Sequence, residues 1–133
     1  NAQFFISQPK IELEDLIKNL VNTTTKDNPK KWRKFIEAYS KLSKQKKDEF
    51  EYHFMLLRIW DQSVNRLKNN LNDPLHDTSL IHGMKTILNS YPAADFLSIV
   101  SDLEDVVRAI SMNLYMPLVL TNLLLETQKN LKQ

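Results

Sequence analysis

Cysteine is absent from this 133-residue chain, and glycine occurs once, at position 83. Without cysteine there are no disulfides, no thiolate nucleophile and none of the thiolate zinc ligand sets, a composition that fits a reducing, cytoplasmic setting. One glycine and five prolines supply few of the tight turns that a many-stranded sheet needs. No apolar run approaches the roughly 20 residues that would cross a bilayer, so no membrane contact is expected.

What is abundant is Leu, Lys, Asn, Ile, Asp and Glu at helical spacing, which predicts an all-α fold, a compact bundle of about five to six helices. Asn1-Ala2 reads as the remnant of a removed tag, and residues 3–133 as one helical domain from the C-terminal part of a longer chain. Gln3 to Ile6 is a short apolar remnant of whatever precedes it. A first helix is expected from Pro9 to about Asn22, burying Leu13, Leu16, Ile17 and Leu20. Thr23 to Asp27 reads as a linker. Asn28-Pro29 supplies an N-cap and a first-turn proline for a second helix, with Trp32, Phe35, Ile36 and Tyr39 inward and an end near Leu42.

Ser43 is a candidate cap for a long third helix from about Lys44 to Asn70. Its stripe of Phe50, Phe54, Leu57, Val64, Leu67 and Leu71, widened by Met55, Ile59 and Trp60, marks it as the central post. Asn69 to Pro74 stops it. A fourth helix from about Thr78 to Ser90, capped by Asp77 or Thr78, buries Leu80, Ile81, Met84, Ile87 and Leu88, and Tyr91-Pro92 bounds it. From Ala93 onward, Phe96, Ile99, Val100, Leu103, Val107, Ile110 and Leu114 repeat at steps of three and four, opposite a wet face of Asp95, Asp102, Glu104, Asp105 and Arg108. Pro117 predicts a break around Leu114 to Met116. The final helix, Leu118-Val119-Leu120-Thr121-Asn122-Leu123-Leu124-Leu125, is apolar over more than the arc one core needs. Some of these leucines are therefore expected to be exposed in a monomer or covered by another chain.

Charge is unevenly spread. Between Lys26 and Lys47 nine cations face two carboxylates, a local net charge of +7, and between Ala93 and Glu126 five carboxylates face one arginine, a net of −4. Lys30, Lys31, Arg33, Lys34, Lys44, Lys46 and Lys47 form a candidate basic patch for nucleic acid. Two solvated helix faces account for the same asymmetry.

Motifs for chemistry are missing. Gly83-Met84-Lys85-Thr86 lacks the glycines that a phosphate-cradling loop requires. His53, His76 and His82 do not fall at a metal-binding spacing, and Asp102 with Asp105 share a polar face with nothing to desolvate a general acid. No catalytic, cofactor-binding or metal-ligating residue is assigned, and the chain is expected not to be an enzyme.

Ser111-Met112-Asn113-Leu114-Tyr115-Met116, followed by Leu118, Leu120 and Leu123-Leu124-Leu125, resembles the last two helices of the collar domain of the bacterial DNA polymerase III delta-prime subunit, a clamp-loader component. That family carries Asn-x-Asn-Pro and then leucines. Here Asn113 matches the first Asn, Tyr115-Met116 replaces Asn-Pro, and the proline is displaced to Pro117. Trp60-Asp61 in the middle of a long helix is similar to the collar's upstream layout. The resemblance implies a non-catalytic oligomerisation domain that packs against other subunits of the complex loading the sliding clamp in DNA replication, with Asn113, Leu118, Leu120, Leu123, Leu124 and Leu125 at the interface. A stand-alone helical adaptor or effector-type interaction domain is the alternative, and a nucleic-acid-binding module the third.

Overall fold

The computed structural model describes residues 10–69 and 78–132. Six helices occur among them: α1 Lys10–Thr25, α2 Pro29–Gln45, α3 Lys47–Lys68, α4 Thr78–Ser90, α5 Phe96–Ser111 and α6 Met116–Leu131. The expected all-α bundle of five to six helices is what forms. Expectations on Gln3 to Pro9, on Asn70 to Asp77 and on His76 lie outside the described residues.

The central helix is α3, which packs most extensively on α5 and also touches α1, α2 and α4. Its sequence explains why. Phe50, Phe54, Leu57, Trp60 and Val64 recur at one-turn spacing, while Tyr52, Leu56, Asp61 and Ser63 are buried on the flanks, so few of its sides are left to water. In turn α6 packs on α5, α2 and α1. Phe50 and Phe54 stack at 4.4 Å between ring centroids, and Tyr39 of α2 meets each of them edge-on, which locks α2 to the post.

Several boundaries differ from their sequence expectations, each for a local reason. Thr23 to Thr25 are helical rather than a linker. Their hydroxyls donate to the carbonyls of Asn19, Leu20 and Val21, so each threonine satisfies its own polar group inside the helix, and Thr23 and Thr24 are buried. The turn that follows is held by the Trp32 indole, whose Nε1 donates to the Lys26 carbonyl at 2.9 Å. Asn28 caps α2 as expected, accepting from the Lys31 amide. Ser43 does not cap α3; α2 runs on to Gln45, and the buried Ser43 hydroxyl donates back to the Ser40 carbonyl. The cap position falls to Lys46, which makes no side-chain cap bond.

Asp95 caps α5, its carboxylate accepting from both the amide and the hydroxyl of Ser98. Those two bonds hold the Asp95 carboxyl below the usual carboxylate range. The buried face of α5 extends to Val106 and Ala109, beyond the stripe through Val107 and Ile110, because α6 covers that flank while α3 covers the other. Leu114, the last residue of that stripe, lies past the helix end and is exposed.

Gly83 lies inside α4 with its Cα against Trp60, and a methyl group there would sit 3.0 Å from the indole Cη2. This close approach gives the lone glycine a packing role at that point. Gly83→Ala gains about 1 kcal/mol of helix propensity but crowds a buried ring. We expect a net loss of about 1 kcal/mol in chemical denaturation; a stabilised variant would contradict this packing account.

Candidate interaction surface

Two turns meet at one end of the bundle: the α2–α3 turn at Lys46 and the α5–α6 turn from Met112 to Tyr115. The second turn has a specific construction. Asn113 takes the left-handed conformation, φ 54°, its amide bonding to the Ile110 carbonyl and the Leu114 amide reaching back to the Ala109 carbonyl. This is the paired closure of a left-handed helix cap, and asparagine is the non-glycine residue most tolerant of it. A local reason thus exists for Asn113, and it stands on the surface as an interface residue must. Pro117 then falls in the first turn of α6, where its missing amide costs nothing.

The closure leaves apolar side chains in water. Met112 is 66 % exposed, Tyr115 72 % and Leu118 58 %, with Leu114 also exposed. Four of the six large hydrophobic residues exposed among the described ones thus lie within seven positions. Isolated exposed leucines are ordinary, but a cluster is the kind of patch that another surface covers.

The leucine block divides. Leu120 and Leu124 are fully buried and Leu123 nearly so, all three within the chain's own core, so they are not available to a second subunit. Leu118 and Leu125 (54 % exposed) face outward. The excess of leucine therefore reflects a helix that packs on three neighbours, and only two of the five leucines between Leu118 and Leu125 are left over.

No protein family, curated protein or solved structure matches the chain.

Lys30, Lys31, Arg33, Lys34, Lys44, Lys46 and Lys47 are all exposed. Within α2, Lys30, Arg33, Lys34 and Lys44 fall inside roughly 100° of arc opposite the Phe35 face, and so does Lys41, absent from the sequence expectation although it keeps the same three- and seven-residue spacing. None of these five has a carboxylate within ion-pair distance among the described residues. Glu37 shares the face. Lys31 lies off the row, while Lys46 at the cap of α3 stands 3.9 Å from Glu49 and Lys47, its first residue, 3.8 Å from Glu51.

Two polar arrangements were not legible in sequence. Tyr39 Oη lies 2.7 Å from His53 Nδ1, and His53 Nε2 is 3.9 Å from Glu49. Burial raises the Tyr39 hydroxyl, with a further push from Glu49, and burial lowers His53, so at neutral pH both are uncharged. The pair is packed among the rings of Phe50, Phe54 and Tyr52, and its evident work is to tie α2 to α3. Asp102 is half-buried beside α6 and accepts from Asn130 Nδ2 at 3.2 Å; burial, then Glu126 and Asp105, raises its carboxyl. The face of α5 expected to be fully solvated is thus partly covered. Among the described residues no group of three or more His, Asp or Glu side chains is placed to hold a metal ion. Nor is any described helix long and apolar enough to cross a membrane.

Proposed function

We propose that this chain is a non-catalytic helical interaction domain that binds another protein through the end of the bundle formed by the Lys46 and Met112–Tyr115 turns. The observation that supports this most directly is the cluster of Met112, Leu114, Tyr115 and Leu118, four large apolar side chains held in water by a well-closed helix cap. An apolar turn of this kind has no work to do in the domain's own core. The resemblance to the clamp-loader collar gives the reading a concrete form: a cytoplasmic assembly domain meeting equivalent helical domains of sister subunits, with Asn113, Leu118 and Leu125 outward. In the adaptor form, the partner is unrelated. A photo-crosslinking amino acid in place of Tyr115, in the full-length protein in its own cells, is expected to give discrete protein adducts that the same probe at exposed Ser101 does not. Adduct identity separates the two forms. Equal labelling from both positions would overturn the reading.

One observation favours a second reading, nucleic-acid binding. Lys30, Arg33, Lys34, Lys41 and Lys44 run along about 21 Å of helix without paired carboxylates, at 1.5 Å rise per residue. Such a row would release counterions from a phosphate backbone, and affinity would then fall steeply with salt. Retardation of a DNA or RNA probe at low salt, lost on Arg33→Glu with Lys34→Glu, is the outcome this reading requires. An unshifted probe sinks it.

A further inference from the structure

The apolar turn does not stand alone. Between it and the Lys46 turn lies a cleft of about 610 Å³, within the range of small ligand and peptide side-chain pockets, with Ile110, Leu114, Tyr115 and Met116 on one side and Ser43, Lys44 and Lys47 on the other. No carboxylate lines it. The other grooves around α5 differ in this respect. Asp102, Asp105 and Glu126 line the one between α5 and α6, and Asp48, Glu51 and Glu104 contribute to the one between α3 and α5. The cleft at the turns therefore combines an apolar wall with one whose only charges are the two lysines.

We propose that this cleft docks a short acidic and apolar segment of a partner protein, an apolar side chain entering against Ile110 and Leu114 while a carboxylate meets Lys44 and Lys47. The inference rests on the interaction-domain reading and names its partner class. Charge complementarity carries it. Lys44 has no ion pair among the described residues, and the Lys47 contact to Glu51 is long and exposed, so both ammonium groups are free to be recruited. The start of α6 has no side-chain cap and no acidic residue in its first turn, so its positive end favours an anion further.

The same charges argue against the other occupants. A flat anionic bilayer laid over this turn would also approach the carboxylates that follow Lys47 in the first turn of α3, Asp48 and Glu49, whereas a segment narrow enough to enter the cleft meets a lining without carboxylates. Twofold pairing of this cleft with a second copy would bring four lysines into one interface, with no carboxylate in the cleft lining to balance them.

The test is selection of random 12-residue peptides displayed on phage against the immobilised protein. Enriched peptides are expected to combine Asp or Glu with Leu, Ile, Phe or Trp. The best of them, made synthetically and labelled, should bind about tenfold or more weakly to Lys44→Glu/Lys47→Glu and to Leu114→Ser, and with unchanged affinity to exposed Ser101→Ala. Each variant is checked by its melting temperature, since all four positions are exposed. No enrichment over bare support, enrichment of basic peptides, or affinity indifferent to Lys44, Lys47 and Leu114 would overturn the proposal. Sedimentation with phosphatidylserine vesicles but not phosphatidylcholine vesicles, sensitive to the same variants and without peptide enrichment, would overturn it in favour of a membrane. If Tyr115 forms protein adducts in cells while no acidic peptide is enriched, the interaction reading stands and this assignment falls.

Discussion

Asp61→Asn is expected to stabilise the protein by an amount that grows with pH, from near zero around pH 4 to a few kcal/mol at pH 8. Asp61 is buried in the middle of α3 with no hydrogen bond or ion pair to it among the described residues, and burial pushes its carboxyl from the ordinary 3.8 up to about 8. The unfolded chain ionises this group near its ordinary value while the folded chain keeps it protonated, so folding takes up a proton between those two pH values. Stability is then full below about pH 4 and declines as pH rises toward the folded value, by at most about 1.4 kcal/mol per pH step of one. Asparagine has nearly the same shape and never ionises, which removes the decline. Other groups titrate in the same range: Asp102 acts in the same direction, while Asp95, held down by Ser98, contributes stability that is lost as the solution is acidified. They are common to both proteins and cancel in the difference. Urea unfolding of the two proteins at pH 4, 6 and 8 measures it, and a difference that does not change with pH would mean that Asp61 is ionised in the folded protein.

Leu120→Ala and Leu124→Ala are expected to cost about 2–5 kcal/mol each, while Leu118→Ala and Leu125→Ala cost less than about 0.5 kcal/mol. All four belong to one leucine-rich block of α6, and only burial separates them: the first two have no exposed surface, the second two are more than half in water. Truncating a fully buried leucine removes its transfer energy and leaves a cavity that a close-packed bundle only partly fills. Guanidinium midpoints at unchanged slope give the comparison. Leu118→Ala should also weaken Tyr115 photo-crosslinking, because it removes apolar surface from the patch without touching the core. Equal stability losses across the four leucines would mean that the block is not divided between core and surface.

Much of the fold is legible in short stretches of sequence. The 3.6-residue period of α3, α4 and α5, the Asn28-Pro29 start and the Tyr91-Pro92 stop are local signals, written in consecutive side chains and in the fixed geometry of proline. The errors fall where the deciding partner is not local. Thr23 to Thr25 look like a turn by propensity, and they become helix because they extend α1 over a turn that the Trp32 indole closes from α2. Ser43 looks like a cap, and is buried because α2 continues past it.

The candidate surface was legible only in pieces. The lysines of α2 could be counted in sequence, and the break at Pro117 could be placed within a residue or two. That Lys44 and Lys47 line the same cleft as Leu114 and Tyr115 follows from two turns, about 70 residues apart in the chain, meeting at one end of the bundle. No periodicity within one helix contains that relation.

The sequence by itself determined that the chain is all-helical and where most of its helices begin, because helix formation depends on residues three and four apart. It also determined that α6 is richer in leucine than one buried face requires. Only the tertiary structure decided which leucines are core and which are surface, because that depends on how many helices surround α6. Three do, and they take Leu120, Leu123 and Leu124, leaving Leu118 with the exposed turn of Met112, Leu114 and Tyr115 at the lysine-lined end of the bundle.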